Sequence, residues 1–200
     1  DYHTDWYTST DPVLYLRGAR HTGSTVSTVA RLVWELVFKT NNKSAVIGKT
    51  HITAEIMNYV RMCIERLPDW LQPKLEVCNR TYIYTESKNT LIVGGSTNYT
   101  LRGHSINNLY LIDIQLFKPY EFEEIVMDAW PSLISNQGRI LFTSSGRVDI
   151  TTLIKVSDFK PTVLFAGWDT LPGCDDNYRT HHIRQCGEGY WEQHFELSVP

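Results

Sequence analysis

Between Pro12 and Phe38 the chain reads as strand, glycine-bounded loop and helix in direct succession, and that order leaves few folds open. Pro12-Val-Leu-Tyr-Leu-Arg-Gly18 has the continuous apolar character of a buried strand. Gly18-Ala-Arg-His-Thr-Gly23-Ser24-Thr25 is the turn, and Val26 to Phe38 carries apolar residues at Val29, Leu32, Val33, Leu36 and Val37, the spacing of a buried helix face. A strand feeding a helix through such a loop aims the helix N-terminus and successive backbone N–H groups at one point, which is how a phosphate is cradled. The loop fits the pattern G-x-x-x-x-G-K-[ST] at every defined position except one, where Ser24 replaces the lysine.

That exception has a chemical meaning. Gly18, Gly23 and Thr25 can still supply the cradle and a hydroxyl for Mg²⁺, whereas Ser24 brings no positive charge to the phosphates. A lost charge-assisted hydrogen bond costs about 1.5–3 kcal/mol. Charge withdrawn from a transition state costs a further factor on the order of 100–1000 in rate. The loop is therefore expected to bind nucleotide weakly and to hydrolyse it poorly. An ordinary strand-turn-helix with two glycines is the bland alternative.

Composition narrows the class. The chain has 200 residues, 42% of them hydrophobic, enough for a single α/β domain over residues 1–200 with one good core. Its net charge of −3 announces no global field for nucleic acid. Cys63, Cys78, Cys174 and Cys186 are scattered without a C-x-x-C pair, which suits reduced thiols in a cytosol-like compartment. No apolar run reaches the ~20 residues of a membrane span, so no membrane is expected as a partner.

Further along, Asp1 to Asp11 shows no period and reads as an irregular lead-in whose aromatics Tyr2, His3, Trp6 and Tyr7 either cover a sheet edge or stack on a base. Lys39 to Lys43 ends the helix and Ser44 to Gly48 is a second strand. Lys49, just beyond it, reads as a solvated strand-end residue, with the alternative that its ammonium replaces the one missing at Ser24. Thr53 to Leu67 is an amphipathic helix; Leu75 to Tyr84 and Thr90 to Gly94 read as a hairpin around Glu86 to Asn89. Gly95 to Thr100 leads on to Asn108-Leu-Tyr-Leu-Ile-Asp113, an apolar strand ending in an acid, the placement a Mg²⁺-organising carboxylate needs. A second carboxylate to orient water is expected beside it, yet Ile114 stands there. Phe122 to Trp130 is a helix with Glu121, Glu123 and Glu124 outward, and Arg139 to Gly146 is a strand ending in hydroxyls and glycine, suited either to sensing a γ-phosphate or to a plain turn. Thr162 to Gly167 is the last strand and Tyr190 to Leu197 the last helix. Cys174, His181, His182 and Cys186 fit no closed zinc spacing, so no zinc is expected.

Taken in order, the glycine-loop strand, the Leu101-Arg102-Gly103-His104-Ser105 segment before the acid-ending strand, and the Thr/Ser-rich strand end about thirty residues later resemble the ATPase domain of the large terminase subunit of tailed phages. Leu67-Pro68-Asp69-Trp70-Leu71-Gln72-Pro73 and Tyr190-Trp-Glu-Gln-His-Phe-Glu196 look like that family's myovirus branch, and the likeness runs from Asp11 to Glu196. The resemblance implies a P-loop NTPase-like fold of the additional-strand type, with a mainly parallel sheet flanked by helices on both faces. It implies nucleotide held at Gly18, Arg20, Gly23, Ser24 and Thr25, Mg²⁺ at Thr25 and Asp113, an arginine finger at Arg102 for its own or a neighbouring site, and a coupling motif at Thr143-Ser144-Ser145. Arg20 matches an arginine that family members carry inside the loop. DNA and other packaging or phage proteins are the partners it implies, with oligomers, in the cytoplasm of an infected bacterial host. By the same resemblance the family's nuclease domain is expected to be absent, since the chain stops where it would begin. With Ser24 in the lysine seat and the acidic pair reduced to Asp113, the expectation is a weak or inactive ATPase serving as a binding or assembly module. The alternatives are an active motor whose missing charge comes from Arg20, Lys49 or Arg102, an active enzyme disabled by a deliberate Ser24, and a small α/β module that binds another anion or a protein. Counted from Arg102, Asp113 falls on the glutamate position of the acidic pair; read from the strand end, it falls on the aspartate.

Overall fold

A computed structural model of the chain describes residues 2–96, 100–146, 161–170 and 174–196. Among the expected features, Asp1, the side chain of His3, the middle of the Gly95 to Thr100 lead-in, and Leu197 lie outside the described residues.

Eight strands form one sheet: β1 (Val13–Gly18), β2 (Lys43–Gly48), β3 (Leu75–Cys78), β4 (Tyr82–Thr85), β5 (Thr90–Gly95), β6 (Asn108–Leu111), β7 (Arg139–Ser145) and β8 (Thr162–Ala166). Their spatial order is β3-β4-β5-β2-β6-β7-β1-β8. The pairs from β5 to β8 are all parallel, and β3 and β4 add an antiparallel edge. The helices are α1 (Tyr2–Thr8), α2 (Ser24–Phe38), α3 (Thr50–Glu65), α4 (Pro119–Ser135), α5 (Asp176–Cys186) and α6 (Glu188–His194).

Strand pleating sends alternate residues to opposite faces, so a strand covered on both sides reads as an unbroken apolar run. In β1, Leu14 and Leu16 enter one core with Val29, Leu32, Ile56 and Val60 of α2 and α3. Val13 and Tyr15 enter the other with Phe122, Ile125, Val126 and Ala129 of α4. Helices thus cover both faces, as the resemblance implied.

Several boundaries differ from the sequence reading. The lead-in is helical, because Trp6 is fully buried in the α2/α3 core and its carbonyl takes a hydrogen bond from Arg31; tertiary burial supplies the order that local periodicity lacks. Leu75 to Tyr84 is two strands, folded back by Asn79, whose Oδ1 accepts the Thr81 N–H at 2.9 Å. The α4 helix runs from Pro119 to Ser135, well past the expected Trp130, and carries Pro131 within it. The last helix, α6, begins two residues earlier than expected, at Glu188, and is preceded by α5, which the sequence reading did not expect.

The α2 helix also buries charge. Glu35, 4% exposed, accepts from Ser44 Oγ (2.5 Å), Tyr110 Oη (2.6 Å) and Asn108 Nδ2 (3.3 Å), with Arg31 Nε 3.7 Å away. Burial, then the neighbouring Glu35, drives the Tyr110 phenol well above its ordinary value, so it stays a donor to the carboxylate.

Replacing Trp6 with Ala is expected to cost about 3–5 kcal/mol. Denaturant unfolding checks this. A change under about 1 kcal/mol would mean that α1 is not part of the cooperative core.

Candidate nucleotide site

The loop between β1 and α2 is shaped by close contacts. A Cβ on Gly18 would sit 2.6 Å from Thr22 Oγ1, which itself donates to the Ala19 carbonyl at 2.8 Å, so the strand end has room only for hydrogen. Gly23 takes φ 82°, a left-handed turn that sets the entry angle of α2. Ser24 and Thr25 are then the first helical residues, and no side chain caps the helix. Its leading N–H groups therefore have no side-chain acceptor from the protein.

Across the sheet edge, β7 lies between β1 and β6, with Gly18 in register with Ser145 and Leu111 with Phe142. The expected coupling residues are wired in both directions. Thr143 Oγ1 accepts the Asp113 N–H at 3.3 Å, and Ser144 Oγ pairs with Tyr15 Oη at 2.6 Å. Gly146 donates its N–H to the Gly18 carbonyl at 3.2 Å, and its own carbonyl accepts from Arg17 Nε at 3.4 Å. The strand preceding Asp113 stops two residues earlier than expected, at Leu111, and Asp113 itself turns out of the sheet with φ 54°. Its neighbours diverge: Ile112 packs into the α2/α3 core and Ile114 into the α4 core. Asp113 is half-buried between them, so a second carboxylate at either adjoining position would have to leave a core to reach this edge.

Two of the expected cations meet acids on α4. Lys49 is not a solvated strand end; its ammonium meets Glu121 Oε2 at 3.1 Å and Ser96 Oγ at 3.4 Å. Glu121, expected to point outward, closes that pair and also accepts the Lys118 N–H at 3.0 Å. The Lys118 backbone bond and then Lys49 hold its carboxyl below the usual carboxylate range. Arg102 reaches Asp128 of α4 at 3.7 Å and lines a cleft of about 470 Å³ with Tyr120, Glu123, Glu124 and Met127. Arg20 is the cation on the loop itself; its guanidinium lies over the Tyr190 ring at 5.8 Å.

The two outermost described helices brace the loop. From α1, Tyr2 donates to the Thr22 carbonyl and Tyr7 to the Ser27 carbonyl at 3.1 Å. From α6, the His194 carbonyl accepts the Arg20 N–H at 3.1 Å, and the Tyr190 and His194 rings meet tilted at 45° with centroids 4.3 Å apart. Sequence reading missed these braces, and it missed Gln115, whose amide joins Asp113 to Ser145. Nothing in their spacing marks them; the aromatic content of 2–8 and 190–195 is the one available signal. Of the conceivable zinc set, His182 is packed among Tyr178, Trp191 and Phe195, and among the described residues no group of three or more His, Cys, Asp or Glu is arranged to hold a metal.

With the glycine loop at the sheet's carboxyl edge and an extra strand between it and the acid-ending strand, the architecture is a P-loop NTPase-like fold of the additional-strand type. No protein-family model matches the sequence, and no curated protein matches it. Solved structures do. The large terminase ATPase domain of Thermus phage P74-26 superposes with a TM-score of 0.73 at 13% identity, over 98% of this chain and 92% of that one. The large terminase of a thermophilic bacteriophage gives 0.72 at 12% identity, over 97% of this chain and 51% of that one. The large terminase of bacteriophage HK97 gives 0.56 at 14% identity, over 91% and 40%. Within its class, then, this chain has the fold of the phage large terminase ATPase domain, and it spans about half the length of the thermophilic phage enzyme.

Burial, with Arg20 beside it, holds the His194 imidazole below its ordinary 6.5. The unfolded chain therefore takes up this proton more readily than the folded one. The His194 contribution is complete above pH 6.5 and is lost as pH falls through the lower folded value. A histidine ring titration by NMR is expected to place the His194 midpoint below 6.5; a midpoint above it would contradict the packing of α6 on the loop.

Proposed function

We propose that this chain is a terminase-like ATPase domain in which hydrolysis is weak or lost, and that it serves viral DNA packaging as a binding or assembly module. The observation that carries the reading is the chemistry of the loop. An uncapped α2 N-terminus waits at the carboxyl edge with Ser24 in the lysine seat, and the acid facing it across β7 is Asp113 flanked by two core isoleucines.

The residues fit a nucleotide and its metal. Gly18, Gly23, Ser24 and Thr25 would hold phosphates through backbone N–H groups, and Thr25 and Asp113 would hold Mg²⁺, which supplies charge neutralisation when bound. The large terminase of the thermophilic phage has been solved in complex with ADP and with ATP-γ-S, each matched at a TM-score of 0.69 and 13% identity. The partners we propose are DNA, packaging or phage proteins and further copies of the chain, in the cytoplasm of an infected bacterial host. Among the described residues no helix is long and apolar enough to cross a membrane.

A second reading, an active motor, is favoured by Arg20, the cation on the loop, whose guanidinium lies over the Tyr190 ring and beside His194 with no acid paired to it among the described residues. Lys49 is a poorer substitute because it is paired with Glu121 three strands from β1.

Titration calorimetry with ATP and Mg²⁺ is expected to give weak binding with little turnover. Ser24→Lys is expected to tighten binding about tenfold to a hundredfold. Turnover at motor rates that Arg20→Ala abolishes would favour the second reading, and sulfate binding equal to that of ATP would favour a general anion module. Ile114→Glu is expected to lower stability by several kcal/mol, because it places a carboxylate in the α4 core. Chemical denaturation checks it, and an unchanged midpoint would mean that position 114 is free to face the site.

A further inference from the structure

We infer that Gln115 is a positioning residue that makes the Asp113 carboxylate and the end of β7 move as one unit, relaying the occupancy of the metal-binding acid to the coupling segment. The inference rests on the nucleotide reading above and extends it to a residue outside the loop, the acid and the hydroxyl strand end.

The β6/β7 ladder ends at the pair Leu111 and Phe142, and at Asp113 the chain leaves the sheet. Beyond that point β7 would have a bare edge. The side chain of Gln115, in the short turn Ile114–Leu116, takes over where β6 stops. Its Oε1 accepts the Ser145 N–H at 3.3 Å, the bond a longer β6 would have made. Its Nε2 donates to Ser145 Oγ at 2.8 Å and to Asp113 Oδ1 at 3.1 Å.

Those three bonds require a donor and an acceptor on one rigid plane, which among side chains of this length only glutamine offers. A carboxylate here would accept from Ser145 but would set a second negative charge against Asp113. An apolar side chain would make none of the three. Asp113 Oδ1 is thus held by a group that is itself clamped at two points on Ser145, and the next residue, Gly146, bonds the Gly18 carbonyl at the mouth of the loop. A cation drawn to Asp113 competes for the oxygen that Gln115 grips, so any shift of that carboxylate is felt at Ser145 and from there at Gly18. Position 114 cannot provide this link, since Ile114 is buried in the α4 core.

The test is amide hydrogen exchange of residues 143–146 with and without ATP and Mg²⁺, run beside calorimetry on the unaltered protein, Gln115→Leu and Gln115→Met. In the unaltered protein ATP with Mg²⁺ is expected to slow exchange at Ser145 and Gly146 about tenfold. In both variants binding is expected to stay within about threefold while that slowing disappears; the second variant serves if the first does not fold. If a folded variant binds and still shows the slowing, Gln115 is only structural and the relay is overturned. If a folded variant loses binding together with the slowing, Gln115 acts on the ligand itself and the relay is likewise overturned. If the unaltered protein binds without any change at 145–146, the relay alone fails. If it binds no nucleotide, the nucleotide reading fails first and the relay with it.

Discussion

The site depends on where β7 lies. Parallel strands exchange evenly spaced hydrogen bonds, and every buried N–H and C=O must find one, so inserting a strand between β1 and β6 fixes both neighbours at once. The side chains then hold the register. Tyr15 stacks on Phe142 with ring centroids 5.0 Å apart on one face, while Leu14, Leu16 and Leu141 interlock on the other. A slip of one residue would exchange the two faces along the whole strand, so the packing of both cores enforces the meeting of Gly18 with Ser145. Chemistry at the edge is thus dictated by apolar contacts far below it.

The parts of this arrangement that could be read from the sequence are those with a local cause. Two glycines bracketing a turn, an unbroken apolar run before it and a helical period after it each have one physical meaning, and α2 and β1 formed within two residues of expectation. Asp113 was also legible, because an acid closing an apolar strand emerges at the carboxyl edge whatever surrounds it. The helix α1 was not, since Tyr2 to Thr8 alternates polar and aromatic residues without a period and is ordered by Trp6 entering a core built much later in the chain. The α5 helix buries none of its residues, which leaves a pattern search nothing to find. The turn at Asn79 lacks glycine and proline and is closed by a side-chain oxygen, a signal that is easily passed over.

Charge is hard to read from a sequence in two ways. Arg31 and Glu35, four apart on a helix, have the spacing of a solvent-facing ion pair. Here they are buried, and Ser44, Asn108 and Tyr110 from β2 and β6 supply the hydrogen bonds that water would otherwise give. The sequence shows the charge of Lys49 and Arg102 without showing their partners, and in the structure each meets an acid on α4. Whether a cation is free to act is a property of the packing, and it is the least legible kind of fact in a chain of letters.

The braces on the glycine loop reach it from opposite ends of the described chain. The α1 bonds span only 20 residues, whereas the α6 bond joins Arg20 to His194 and closes a far larger loop, which costs more entropy before any contact rewards it. The β1-α2 turn and its α1 brace are local, but the α6 brace joins residues at nearly the full span of the described chain. A loop braced on both sides therefore reports that the two ends of the described chain have come together.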